Sequence, residues 1–262
     1  MSGTRLANLI ADPESTVDSI SEVVGLDQAL AGRALRAANS AASAARSPIT
    51  TVKDAVVRLG RSTMLALGFG PRVRENLQQA VPEFGLAENA LWRHSVAAAL
   101  AAESLGALGS VPIPPESYAA ALLHDVGKLV LARFLDPDLL SFLRRAQEEG
   151  HCNPMEAEME ILGVNHAELG GLIARHWSLP NSIALGIQYH HSPTEEHPLV
   201  CHVVCVADVL AKAIEPMALA QPPHPENQTL SFHKLSVDAR VQERVCQAVS
   251  ARFSKVLELF GM

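Results

Sequence analysis

Apolar positions along this chain recur at helical spacing, and runs alternating with period two are scarce. In "DPESTVDSISEVVG", Val17, Ile20 and Val24 line one helical face; Asp12 is placed as an N-cap, Pro13 at the first helical position and Gly25 at the end. "DQALAGRALRAANSAASAA" and "TTVKDAVVRLG" predict two more helices, the second opened by Thr50 or Thr51 and stopped at Gly60. A weaker helix follows from Ser62, and "GFGPRV" breaks the pattern near residue 70.

A second block starts near Glu88 with "NALWRHSVAAALAAES", whose alanines let neighbouring helices approach closely. After the Gly/Pro loop "GALGSVPIPPES", helices are expected over roughly 116–134, 137–149, 154–161, 165–177, 180–191 and 199–214. The proline-rich stretch from Glu215 to Lys234 reads as an irregular excursion. The closing segment is an amphipathic helix with Val237, Val241, Val245, Val249, Phe253, Val256 and Phe260 as its stripe. The expected architecture is all-α, in two packed lobes. Residues 1–80 form the first and 81–214 the second, with 215–262 supplying a loop and the terminal helix. That stripe is expected to pack within the chain, with a homodimer seam as the minor alternative.

Composition narrows the class. The chain has 262 residues, is 48% hydrophobic and 19% charged, and carries a net charge of -7. This is the balance of a globular protein with a sizeable core, and it lacks the cationic surplus that neutralises phosphates. Direct nucleic-acid binding is not expected. Neither a secretion signal nor a bilayer-spanning run is legible, so no membrane association and a cytoplasmic location are expected. Cys152, Cys201, Cys205 and Cys246 form no CxxC pair and read as small buried hydrophobes.

The chemistry concentrates in "LLHDVGKLVL", where His124 and Asp125 interrupt an apolar run. Burying an aspartate is costly unless it is paired, and a divalent cation is a strong partner. On a helix Lys128 would lie one turn beyond both residues and meet them in one cavity; an N-cap or a buried Asp125–Lys128 ion pair is the plainer alternative. Other candidate ligands sit on separate apolar segments: His94 after "LWR", His166 at the head of "HAELGGLIARHW", His190 and His191 closing "SIALGIQYHH", and Asp208 in "VVCVADVLAKAI". His197, His202, His224 and His233 are too scattered to join them. Arg36, Asn39 and Ser40 in "LRAANS" fit backbone-satisfying roles better than a ligand site between lobes. Trp177 and Pro180 read as a packing anchor and a helix start.

"LWRHSVAAA", "LLHDVGK" and "VADVL" together resemble the H…HD…D signature of the HD phosphohydrolase superfamily. "ALRAANSA" followed by "SPITTVKDAVVRLG", and "HAELGGLIARHWSLPNSIALGIQYHHSP", are similar to the HDOD family of bacterial signalling output domains. The resemblance runs from about Asp12 to Asp208. It implies an HD-type helical bundle with an additional N-terminal helical lobe. It also implies that His94, His124, Asp125 and Asp208 ligate a first ion, and that His166, His190 and His191 match the extra histidines of HD-GYP phosphodiesterases, with Asp125 bridging to a second. Lys128 would meet a phosphate oxygen as the catalytic lysine. One departure is plain: "HHSPTEEHPLVCH" stands where HD-GYP enzymes carry their glycine-rich loop, which argues against cyclic di-guanylate as substrate.

Such a donor set suits one or two divalent transition metal ions (Fe, Mn, Zn or Ni), and two ions could clamp a phosphoryl group for in-line displacement. Three functions stay open. One is a regulatory module acting through a signalling protein partner or a nucleotide-like ligand. The second is a metal-dependent phosphohydrolase or phosphodiesterase acting on a nucleotide, and the third is a metal-free adaptor. No sensory domain is legible, so the input is expected from another molecule or domain.

Overall fold

The computed structural model describes residues 2–12, 14–39, 48–68, 75–134, 138, 154–215 and 225–259. Apart from residue 138, the expected helix over 137–149 lies outside them, as do the break near residue 70 and Pro13, Ser40, Cys152, His224 and Phe260. Among the described residues the chain is helical, and its only β pairing is one isolated bridge between Val81 and Leu86.

The N-terminal lobe comprises α1 (Ser2–Ala11), α2 (Val17–Gly25), α3 (Gln28–Ala38) and α4 (Val52–Gly68). Helix α1 was not foreseen; it buries Leu6, Ala7 and Ile10 against α2 and α4. The N-cap of α2 is Thr16, not Asp12: Thr16 and Ser19 exchange reciprocal backbone-to-hydroxyl bonds of 3.0 and 3.2 Å. Asp12 instead accepts from the Glu14 N–H in the preceding turn. Thr51 caps α4 by accepting from the Asp54 N–H at 3.0 Å. The expected stop at Gly60 is a kink, where φ of 77° interrupts the helix and a second helical segment follows.

The second lobe is built around α5 (Ala90–Leu108). Ala97, Ala98, Ala99, Ala101 and Ala102, with Leu91, Trp92, Val96, Leu100 and Leu105, are buried around its circumference, so it runs through the core. It is covered by α6 (Ser117–Leu123), α11 (Leu199–Ile214) and α13 (Ala239–Leu259). Helices α7 (Val126–Phe134), α8 (Pro154–Leu162), α9 (His166–His176) and α10 (Asn181–Gln188) complete the lobe. The expected continuous helix over 116–134 is broken at His124 and Asp125, with the Asp125 carbonyl accepting from the Lys128 N–H at 3.0 Å.

The stretch read as irregular contains α12 (Pro225–Lys234). Pro225 heads it, Glu226 sits in its first turn and His233 and Lys234 in its last, which suits the helix dipole. Helix α13 packs its buried Val245, Val249, Phe253 and Leu257 into the same core as α5 and α11. The Arg93 guanidinium bonds Glu215 through two nitrogens, at 2.9 and 2.7 Å, and lies over the Phe253 ring. That arrangement ties α13 and the end of α11 to the turn that carries His94. The lobes meet where α4 packs on α6 and where the Thr4 hydroxyl donates to the Trp177 carbonyl.

Candidate metal centre

Five elements bring the seven expected ligands together. His94 comes from α5, His124 and Asp125 from the α6–α7 junction, His166 from the start of α9, His190 and His191 from the turn after α10, and Asp208 from α11. Their exposures run from 0% to 8%. His166 owes its place to Asn165, whose side chain caps α9 by accepting from the Glu168 N–H at 2.9 Å. The helix expected to end with His190 and His191 stops earlier, at Gln188, which frees both residues to turn inward.

Two glycines allow the close approach. A Cβ on Gly127 would collide with the His166 carbonyl oxygen, and one on Gly170 would lie 2.8 Å from Ile187 Cγ2. Main chain therefore meets main chain where α7 crosses α9, which sets Asp125 Oδ1 3.4 Å from His166 Nε2 and 3.9 Å from His190 Nε2. The other oxygen, Oδ2, lies 3.5 Å from His124 Nε2 and 4.0 Å from His94 Nε2. Asp208 Oδ1 is 3.0 Å from His94 Nε2 and 3.6 Å from His124 Nε2.

Three of the outward ring nitrogens are held, whereas His94 Nδ1 is buried without a hydrogen-bond partner. His124 Nδ1 stands 2.7 Å from the Ala121 carbonyl and His190 Nδ1 2.7 Å from that of Ile187, while His166 Nδ1 faces the Glu158 carboxylate at 2.7 and 3.0 Å. Each acceptor takes an Nδ1 proton and leaves an Nε2 lone pair turned to the centre. Those Nε2 atoms crowd together: His94 to His124 at 3.2 Å, His166 to His191 at 3.0 Å. Asp125 Oδ1 and His190 Nε2 are buried without a hydrogen-bond partner. Two groups that could hold a metal ion result, His94 with His124 and Asp125, and Asp125 with His166, His190 and His191. Asp208 adjoins the first through its contacts with His94 and His124.

Electrostatics match a cation seat. Burial by itself would raise Asp125 and Asp208, but cationic neighbours hold both well below the usual carboxylate range, Lys128 foremost for Asp125 and Lys212 for Asp208. Burial pushes His190 and His191 well below the ordinary histidine value and His94 below it, which keeps them neutral. His124 moves up: burial opposes the charge, but Asp125 and Asp208 prevail.

Sequence reasoning missed Lys212 and Glu158. Lys212 Nζ lies 2.6 Å from Asp208 Oδ2, as Lys128 Nζ does from Asp125 Oδ2, and the one-turn spacing that singled out Lys128 could have found it. Glu158 has no such signal. The scattered candidates stay outside the cluster. His202 is buried between Ser231 Oγ and the Thr194 carbonyl, and His197 stacks on Tyr189. Cys201 and Cys205 are core residues whose thiols burial pushes up to about 12. Arg36 is exposed, and the Asn39 side chain bonds the Leu35 and Ile49 main chain, the structural role expected of it.

Fold and site together define an all-α HD-type domain with an N-terminal helical lobe. A family profile described as HDOD domain matches residues 2–193, and the chain belongs to that family. An uncharacterized protein of Treponema pallidum is 27% identical over 204 residues, which is 76% of this chain and 39% of the relative. The chain thus spans about two fifths of that curated relative's length. Among solved structures, a candidate phosphohydrolase of Shewanella amazonensis aligns at TM-score 0.69 and 24% identity, covering 98% of this chain and 93% of that one. A candidate signal transduction protein of Marinobacter aquaeolei aligns at TM-score 0.73 and 22% identity, covering 99% and 58%. Likeness at these identities establishes the shared fold.

Proposed function

We propose that this chain is a regulatory module of bacterial signalling whose HD lobe holds divalent transition metal ions, one bound by His94, His124, Asp125 and Asp208 and a second by Asp125, His166, His190 and His191. One observation carries it: the Nε2 lone pairs of several imidazoles converge on Asp125, whose Oδ1 is buried without a hydrogen bond. Removed from water, such a cluster is repulsive and unsatisfied unless a cation fills it. Nitrogen and carboxylate donors together suit iron, manganese, zinc or nickel. The Marinobacter protein's name supports the signalling side, with a protein partner or a nucleotide-like ligand as the expected counterpart. Among the described residues no helix is long and apolar enough to cross a membrane.

Phosphoester hydrolysis is the second reading, favoured by Lys128. Its side chain is 12% exposed while its ammonium touches Asp125, so it can reach an anion at the mouth of the centre without leaving the ligand. Bound ions would act there as Lewis acids toward a phosphoryl group. Against a cyclic dinucleotide, the chain after His191 passes directly into α11 through a short turn in which His197 Nδ1 accepts from the Thr194 N–H. Elemental analysis of protein purified without chelator is the test, and a first-row transition metal is expected. An empty centre in metal-supplemented protein overturns the proposal. Metal-dependent turnover of a nucleotide phosphoester would move the assignment to the second reading.

A further inference from the structure

Glu158 is 1% exposed on α8, and among the described residues its carboxylate bonds His166. Its Oε2 accepts from the His166 backbone N–H at 2.7 Å, and its two oxygens lie 3.0 and 2.7 Å from Nδ1 of the same residue. A helix-start N–H and a ring nitrogen are thus gripped by a single carboxylate. His124 and His190 meet neutral main-chain carbonyls at the equivalent position. The contrast matters because the two ligand groups are unequal. The first has Asp208 against His94 and His124 besides the shared Asp125, whereas the second has Asp125 and three imidazoles. A carboxylate behind one of those imidazoles supplies the missing anionic character from outside, by strengthening the Nε2 donor and fixing the ring.

We infer that Glu158 is the positioning residue of the second half-site, so that the two half-sites load separately and only the second depends on Glu158. This rests on the metal-binding proposal, but its test separates the two. The plainer role for Glu158 is to satisfy the first N–H of α9. Loss of that role would lower the melting temperature of metal-free protein and leave metal stoichiometry alone.

The probe is zinc, titrated into chelator-stripped full-length chain, with Glu158→Gln and Glu158→Asp alongside. Wild type is expected to take two ions. Glu158→Gln keeps an oxygen for the backbone N–H and should take one ion at the same free zinc, the second weakened about 10- to 100-fold. Glu158→Asp restores the charge and should recover part of that loss. With cobalt in place of zinc, the spectroscopic signature of paired ions should be replaced by that of an isolated ion in Glu158→Gln. Equal retention of both ions, or parallel loss of both, overturns the inference. Nitrogen-resolved NMR of metal-free wild type gives an independent readout that needs no folded variant. His166 should be protonated at Nδ1 and bare at Nε2, and the opposite tautomer overturns the assignment. A chain that binds no zinc yet shows the expected tautomer retains Glu158 as the positioner of His166 and discards the metal proposal alone.

Discussion

Lys128 Nζ lies 2.6 Å from Asp125 Oδ2, and Oδ1 of the same carboxylate is left buried with no hydrogen-bond donor. The lysine therefore answers half of the aspartate's charge-pairing need and leaves the other half turned to three imidazoles. Asp125 belongs to both ligand groups. Asp125→Ala is expected to lose most of the bound metal from both half-sites, read by elemental analysis against wild type. A variant with wild-type content would refute the shared-ligand assignment.

Lys128→Ala removes a competing cation rather than a ligand. Metal content should stay near wild type. If the chain proves to hydrolyse phosphoesters, turnover should drop on the order of 100-fold, as when one preorganised donor to developing charge is deleted. Steady-state kinetics with parallel metal analysis distinguishes this from simple loss of the centre.

Gly127→Ala tests the helix crossing. Its new methyl meets the His166 carbonyl, which is main chain and cannot swing away. Overpacking of this kind costs about 1–3 kcal/mol. Thermal melting should show it, and metal affinity should fall as α7 is pushed from α9. Gly25→Ala, where a Cβ meets nothing within 4 Å, is the control and should be near neutral.

Metal-free protein should lose stability as pH falls from 7 to 5. His94, His190 and His191 have folded values below the ordinary ~6.5, because burial disfavours their charged forms. Between the folded and ordinary values the unfolded chain binds more protons, so stability rises with pH and is lost as pH drops. His124 has the opposite sign: its folded value is raised, so its contribution is present at low pH and lost as pH rises through that value. Three groups outweigh one. The depressed Asp125 and Asp208 contribute stability that is fully present above the ordinary carboxylate value of roughly 4 and is lost only as pH falls below it, outside this window. Melting curves across the range, with chelator present, check the sign.

What could be read in advance follows from locality. His124, Asp125 and Lys128 stand within five residues, whereas His94, His166, His190, His191 and Asp208 were joined to them by the resemblance to the HD signature and not by spacing; the structure brings all of their side chains into one cluster except that Lys128 reaches it only through Asp125. Glu158 was not legible beforehand. "MEAEMEIL" offers Glu156, Glu158 and Glu160 alike, and only burial against α9 distinguishes the middle one. Helix α12 was hidden because the prolines before it resemble a loop, although Pro225 is compatible with a first helical position. The cap of α2 was misplaced because Asp12 with Pro13 and Thr16 with Ser19 are both plausible starts, and the reciprocal bonds of the second pair decide between them.

The clasp of Arg93 on Glu215, over the Phe253 ring, bears on where the working unit ends. The family match stops at residue 193. A fragment cut there would forfeit Asp208 and expose the flank of α5 that α11 and α13 now cover. The smallest autonomous piece that keeps the centre intact therefore extends beyond the recognisable motif, through the final helix.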